Sequence, residues 1–507
     1  VTDASTQKAR DPFTDAVVAS LLDPVWARKN ILRVDCDPWQ DEILEAFADL
    51  YRKDVGLKTV VNHEGLNRFS IRSGHGPGKT FMLALLMHYA ALTRRVQMPC
   101  TAPKEKQLRT RLWPRFRQIL AAAHPAYQQI VDVQDTKITW CGDPDWMATP
   151  ETAAEPENLQ GYHPNGPHDW LLFMVDEASG VADTMFRVVE GALSSAHSAM
   201  FLIGNPTQNT GEFYESHNKP GVTRFYYRRH VQPSESRHVS QKYIDDLIAR
   251  FGRESPVTKV RGFGEFAELG ADQLIALGWI AAAREREFKT DGSLFHRVVS
   301  VDVADGGEDF STVTLGEHYQ TLTHMIKQQQ YSFPAAESPI ETGMAAERTW
   351  LATGCSAANG DYFVVDSIGV GAGTAGYLLK KGYPVVTYKG GESSDDAELW
   401  RNRRTQSYIV ARDAFRDGTI LFEDDFVDGE TDWSEVEAQL CSVRRKPGSE
   451  RLEDIITKED MRRLGIKSPD RGDGIIMQFA TQAPTLGSSS LAFGSVDMES
   501  ASHGHVN

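Results

Sequence analysis

The chain has 507 residues, several times the roughly 100 to 200 of a single domain, so about two to four domains are expected and a small disulfide-stapled protein is excluded. Hydrophobic residues make up 41% and charged residues 24%, a globular composition far from that of a disordered chain. Asp plus Glu number 70 against 54 Lys plus Arg, a formal net charge of −16 that argues against a general nucleic-acid coat.

The stretch Val1 to Asp15 is polar and acidic where a signal peptide needs a basic end and an apolar core. No apolar run approaches the roughly 18 to 20 residues of a membrane span, so a cytoplasmic location without membrane partners is expected. The cysteines, Cys36, Cys100, Cys141, Cys355 and Cys441, are scattered without metal-ligand spacing and read as reduced structural thiols.

From Pro38 to about Arg261 helix-like stretches (Trp39 to Leu50, Thr80 to Thr93) alternate with short apolar runs (Phe69 to Arg72, Trp170 to Val175, Ala199 to Ile203), the pattern of a parallel α/β sheet. Ser73-Gly74-His75-Gly76-Pro77-Gly78-Lys79-Thr80 follows one such strand and opens an apolar helix. Phosphate binding needs that context. Small residues let backbone N–H groups wrap phosphates, Lys79 reaches the outer ones, the Thr80 hydroxyl can hold Mg²⁺, and the helix dipole adds to both. Ser73 stands where the pattern GxxxxGK[ST] has its first Gly.

The strand Leu171 to Val175 ends in Asp176-Glu177, which supplies an acidic Mg²⁺ contact and a residue to orient or deprotonate water. Gln40, at a helix start, can read the edge of adenine or simply begin the helix. Asn205, in Gly204-Asn205-Pro206-Thr207, can sense a γ-phosphate, although a plain turn explains Asn-Pro as well. Arg72 beside the loop is the best cis candidate to stabilise phosphoryl-transfer charge. The ATP site expected is therefore Gln40, Arg72, Gly74, Gly76, Gly78, Lys79, Thr80, Asp176 and Asn205, with Glu177 catalytic and Thr80 and Asp176 on Mg²⁺.

A breaker-rich cluster, Lys289-Thr290-Asp291-Gly292, closes a connecting stretch, and a second α/β unit begins near Arg297. The expected organisation is an ATPase domain over 1–265, a linker over 266–293, a second domain over 294–480 and a flexible Gly/Ser/His-rich tail over 481–507. In the second domain Val298 to Val301 leads to Asp302, Tyr362 to Val365 leads to Asp366, and Asp473 precedes an apolar segment. Converging, these carboxylates suit Mg²⁺ or Mn²⁺, and two such ions would activate water and stabilise the leaving oxygen in phosphodiester cleavage. Asp at a strand end is also a common turn former. Basic residues between Arg444 and Arg471 can line a groove for a phosphate backbone.

These ordered motifs resemble the large terminase subunit of tailed bacteriophages, over about residues 35 to 480. Trp39-Gln40 is similar to the family's adenine motif and Ser73 to Thr80 to its deviant Walker A. Thr101-Ala102-Pro103 through Gln107 is similar to its helicase-type segment, Asp176-Glu177 to Walker B, and Gly204 to Thr207 to the coupling motif. Lys458-Glu459-Asp460-Met461 with Lys467-Ser468-Pro469-Asp470-Arg471-Gly472-Asp473 is the most specific match, although Gly472 and Gly474 stand where the family has Ala.

The resemblance implies an α/β protein: an N-terminal P-loop (ASCE, RecA-like) ATPase and a C-terminal ribonuclease H-like nuclease with Asp302, Asp366 and Asp473 as metal ligands. It also implies double-stranded DNA, the procapsid portal protein and a small terminase subunit as partners. A homo-oligomeric ring in the host bacterial cytoplasm, docked on the procapsid, completes the expectation. A helicase-like repair or recombination ATPase-nuclease acting without a capsid is the alternative.

Overall fold

The computed structural model describes residues 23–480 apart from 62–65, 153–158, 160, 167, 196, 269, 271, 290–291, 307–308, 447 and 449–451. The expected tail over 481–507 lies outside the described residues. Among the described residues no helix is long and apolar enough to cross a membrane.

The chain divides into two compact units. The first comprises Val1–Lys289, Phe415–Phe422 and Glu430–Arg444; the second comprises Thr290–Ala414, Glu423–Gly429 and Arg445–Asn507. Residues 266–289, read from sequence as linker, thus fall in the first unit, as does most of helix Gly429–Ser442 from far along the chain.

In the first unit the strands are β1 (Arg68–Ser73), β2 (Val96–Ala102), β3 (Val131–Val133), β4 (Ile138–Trp140), β5 (Asp143–Thr152), β6 (Trp170–Val175), β7 (Ser198–Gly204) and β8 (Tyr226–Val231). They form one sheet in the order β3-β4-β5-β2-β6-β7-β1-β8, parallel from β5 to β8, with β3 and β4 as an antiparallel edge. A sheet covered on both faces needs strands apolar throughout, and every residue of β2, β6 and β7 is buried. Helix Lys79–Thr93 is apolar almost all round and buried along nearly its whole length. Burial of Leu83, Leu85 and Leu86 in that helix contributes about 1.5–3 kcal/mol each before entropy is counted. One strand, β7, separates the Gly-loop strand β1 from the Asp-Glu strand β6, which is the ASCE arrangement.

In the second unit β9 (His296–Asp302), β10 (Ser311–His318) and β11 (Thr323–Tyr331) form an antiparallel meander. On the other side of β9 lie β12 (Tyr362–Asp366) and β13 (Val385–Tyr388), parallel to it, giving the order β13-β12-β9-β10-β11. This is the strand arrangement of a ribonuclease H-like fold. Helix Asp470–Ile476 packs on β9 and β10 so closely that a Cβ at Gly474 would lie 2.5 Å from Thr312 Oγ1. Thr312 therefore accounts for glycine where the resemblance has alanine.

Two buried polar groups anchor the first unit. Arg261 makes a bidentate pair with Glu437, 2.8 Å to each oxygen, and also donates to Ser434 Oγ at 2.9 Å and Glu430 Oε2 at 3.0 Å. Its own carbonyl accepts from the His75 N–H of the Gly loop at 2.7 Å. Removing one partner of a buried pair strands the other, so Arg261→Ala is expected to cost about 3–5 kcal/mol, read as a lower urea midpoint for the first unit. The second anchor, His88, is fully buried between Tyr127 Oη at 3.0 Å and the Phe116 carbonyl at 3.1 Å.

Burial pushes the His88 imidazole down to about 3 from an ordinary 6.5. The folded state then disfavours the charged ring, so its contribution is present above pH 6.5 and is lost as pH falls toward 3. The full window is worth roughly 4–5 kcal/mol. His88→Gln is expected to flatten that acid limb in denaturation midpoints measured across the range; an unchanged slope would count against the assignment.

Candidate functional sites

The register sets the first site. Arg72 pairs with Gly204, and Val175 with Leu202, so the carboxyl ends of β1, β7 and β6 finish side by side. Gly78, at φ +99°, caps helix Lys79–Thr93 in a conformation open to glycine, and Gly76 at φ +87° turns the loop before it. The result is a cleft of about 980 Å³ lined by Gly76, Gly78, Lys79, Thr80, Glu177 and Asn205, among others.

Lys79 Nζ donates to the Gly74 carbonyl at 3.0 Å and to Asn205 Oδ1 at 2.7 Å. Burial pulls the Lys79 ammonium below its usual range against the raising influence of Glu177 and Asp176. Asn205 Nδ2 donates to the Ser73 carbonyl at 3.1 Å, and its backbone N–H lies 3.5 Å from Glu177 Oε2. One amide side chain therefore joins the Gly loop, its lysine and the neighbourhood of Glu177. Glu177 has φ +47°, a left-handed backbone rare outside glycine, directly after β6. Burial first, then the Glu177 charge, pushes Asp176 up to about 7. A divalent cation would relieve that unfavourable burial, and with the Thr80 hydroxyl the donors are oxygens, as Mg²⁺ prefers.

Four expected ATP contacts stand differently, the buried Asp176 among them, since it does not line the cleft. Arg72 does not line the cleft: it donates to the Gly264 carbonyl at 3.2 Å and lies over the Phe266 ring at 5.3 Å. A charged β1 side chain one residue short of the strand end faces away from the loop. Gly74 is packed on the next segment, where a Cβ would lie 2.5 Å from the Arg261 carbonyl oxygen. Gln40 lines the cleft, but its amide is engaged: Oε1 accepts from Asp37 N–H at 2.9 Å and Nε2 donates to the Gly78 carbonyl at 3.3 Å. Gln40 thus braces the loop from the helix start.

Sequence reasoning overlooked Glu430 at this cleft. Burial would raise its carboxyl, but Arg284 and Arg261 outweigh that and hold it at about 2. Arg111 and Arg115, two of the several arginines that the sequence leaves open as an arginine finger, also line the cleft.

The second pocket, about 260 Å³, is lined by Asp302, Asp366 and Asp473, so the three expected carboxylates do share it. Asp302 ends β9, Asp366 ends the adjacent β12, and Asp473 projects from helix Asp470–Ile476. Burial, with Asp473 and Asp366 adding to it, pushes Asp302 up to about 8, and burial also raises Asp366. For Asp473 burial works the same way, but Lys458 and Arg404 outweigh it and hold the group low. Lys458 Nζ lies 2.8 Å from Asp473 Oδ2, and Tyr408 Oη donates to Oδ1 at 2.7 Å.

Among the described residues no group of three or more His, Cys, Asp or Glu stands ready to hold a metal ion. Here the Lys458 ammonium occupies the electrostatic place beside Asp473 that a cation would take. The donor set nevertheless fits Mg²⁺ or Mn²⁺, being oxygen only and burdened with excess negative charge.

The basic run expected to form a groove is largely neutralised. Arg444 pairs with Asp272, Arg445 with Glu453, Lys446 with Asp454 and Arg463 with Glu459, while Arg471 is buried.

No protein-family model matches the chain. It is 25% identical over 432 residues to the probable large terminase subunit of Enterobacteria phage P7, covering 80% of this chain and 83% of that protein. Among solved structures it is similar to the large terminase of a thermophilic bacteriophage in complex with ADP, at 13% identity and TM-score 0.40, over 88% of this chain and 98% of that one. It is also similar to the nuclease domain of the large terminase subunit gp2 of bacterial virus Sf6, at 20% identity and TM-score 0.34, over 41% of this chain and 99% of that one.

Asn205→Ala removes the acceptor of Lys79 and the donor to Ser73 together. Turnover of ATP, followed as phosphate release, is expected to fall at least about tenfold, the effect of one charge-assisted hydrogen bond.

Proposed function

We propose that this chain is the large terminase subunit of a tailed bacteriophage, an ATPase that drives double-stranded DNA into a procapsid and an endonuclease that cuts the concatemeric genome. One observation carries the reading: a single chain holds a phosphate-cradling loop with its Asp-Glu strand in one unit and a three-carboxylate pocket in the other. The match to the phage P7 protein over 83% of its length supports it.

In the first unit Gly76, Gly78 and Lys79 receive the phosphates, and Thr80 and Asp176 hold Mg²⁺ beside them. Glu177 orients the attacking water and accepts its proton. Asn205, bonded to Lys79 and close to Glu177, registers loss of the γ-phosphate and passes it along β7. In the second unit Asp302, Asp366 and Asp473 hold divalent ions, two in this proposal. Bound there, such ions supply Lewis acidity and a lowered water pKa for cleavage of the phosphodiester.

Lys458 balances Asp473 until the ions arrive and then remains as a positive neighbour for the DNA backbone. The portal protein, a small terminase subunit and further copies of this chain in a ring are the proposed partners. The proposed place of action is the host cytoplasm, on the procapsid.

Glu177→Ala is expected to retain ATP while turnover falls by about 10²–10⁴-fold. Asp302→Ala is expected to abolish plasmid cleavage in Mn²⁺ without ATP. The decisive measurement is protection of DNA from added nuclease in the presence of procapsids and ATP. Strand separation on a forked duplex with no such protection would overturn the packaging role.

A further inference from the structure

Arg404 is neither a carboxylate ligand nor one of the residues expected at the site, yet its side chain is built into the carboxylate pocket. It sits at the start of helix Arg403–Asp417, where its backbone N–H donates to the Gly390 carbonyl at 2.9 Å. Gly390 makes room for it: a Cβ there would lie 3.1 Å from Arg404 Cβ and under 4 Å from the next two carbons of the stem. The guanidinium is held from two further sides. One terminal nitrogen donates to the Ile456 carbonyl at 2.9 Å, and the group lies over the Tyr408 ring at 4.9 Å from its centre.

The rest of the fork is idle. Nε and the second terminal nitrogen of Arg404 are buried and have no hydrogen-bond partner. The nearest acid oxygen, Asp473 Oδ1, is 3.6 Å from that nitrogen and already accepts from Tyr408 at 2.7 Å. The other Asp473 oxygen faces Lys458 at 2.8 Å. Arg404 thus acts on Asp473 through its charge and makes no hydrogen bond to it. Buried donors left unfilled are costly, and a fixed position that leaves two of them idle calls for an acceptor supplied from outside.

The chemistry of that acceptor follows from the fork. Two adjacent N–H donors in a plane match two oxygens of a phosphate, and guanidinium is the group best suited to bind them as a pair. The charge balance gives the order of events. Fully ionised, as they are when they hold divalent cations, the three carboxylates outnumber Lys458 and Arg404, so it is the cations that make the pocket attractive to a DNA phosphate.

We infer that Arg404 is a phosphate-binding residue of the nuclease pocket, receiving the two non-bridging oxygens of a DNA backbone phosphate beside Asp302, Asp366 and Asp473 once divalent ions are bound. This inference rests on the nuclease reading of the second unit.

The test uses the full chain, without ATP, and a short fluorescein-labelled duplex followed by anisotropy in EDTA and in Ca²⁺. In the wild type, Ca²⁺ is expected to tighten binding. Arg404→Lys, which keeps the charge and loses the fork, is expected to lose most of that gain, about tenfold. Arg404→Ala is expected to lose more and to lower the salt dependence by about one phosphate contact. Mn²⁺ affinity, measured calorimetrically, should be nearly unchanged in Arg404→Lys. Gly390→Ala, which shifts the stem while leaving the arginine itself intact, carries the same expectation if Arg404→Lys does not fold.

Wild-type DNA affinity in these variants would overturn the inference. So would altered Mn²⁺ affinity with unaltered DNA affinity, since Arg404 would then be a counter-ion of Asp473 alone. Failure of the wild type itself to cleave plasmid in Mn²⁺ would instead remove the nuclease reading beneath it.

Discussion

Parallel pairing of β6, β7 and β1 in a single register is the constraint from which the first site follows. It brings the Gly loop, Asn205 and the Asp-Glu pair to one edge of the sheet, but it also sets a whole strand between the loop and the acids. Lys79 and Glu177 therefore need an intermediary, and Asn205, the residue following β7, is positioned to be one. An amide suits that position because it donates and accepts at once: Oδ1 toward Lys79, Nδ2 toward the Ser73 carbonyl. A carboxylate there would add a third negative charge to a buried cluster, and an aliphatic residue would leave the lysine unsatisfied.

Both sites gather like charge at strand ends and must live with it. In the first, one lysine stands against Asp176 and Glu177, and Asp176 responds by holding its proton more tightly. In the second, Asp302 does the same while Lys458 and Tyr408 are concentrated on Asp473. The second pocket is thus asymmetric, with Lys458 and Tyr408 bonded to Asp473 rather than to Asp302 or Asp366. That asymmetry explains why carboxylates in one pocket do not by themselves form a ready metal cage.

Much of this was legible locally. The Gly loop, its helix and the acidic strand end occupy contiguous segments whose residue types report their own chemistry, and the three aspartates were each marked by an apolar strand or helix. What escaped was the fate of side chains decided by distant partners. Arg72 adjoins the loop in sequence, yet β-strand alternation turns it toward Phe266. Gln40 reads as a nucleotide contact, and the structure adds a second task, since Asp37 and Gly78 each take one of its amide's bonds. The basic run after Arg444 reads as a groove because its acidic partners, Asp272 and Glu453 among them, are interleaved or remote. Arg404 gave no signal, since nothing in its neighbourhood distinguishes it from a surface arginine.

The brace at Arg261 carries an implication for how the molecule is made. Its carboxylate partners, Glu430 and Glu437, follow it by well over a hundred residues, with much of the second unit's sequence between. On a ribosome, which delivers the chain from its N-terminus, the segment beneath the Gly loop waits with an uncompensated arginine until that later helix emerges. The first unit thus reaches its finished state only after most of the second unit's sequence has been translated. A fragment ending near residue 289 would lack Glu430 and Glu437, so genetic truncation between the two units does not yield two intact halves.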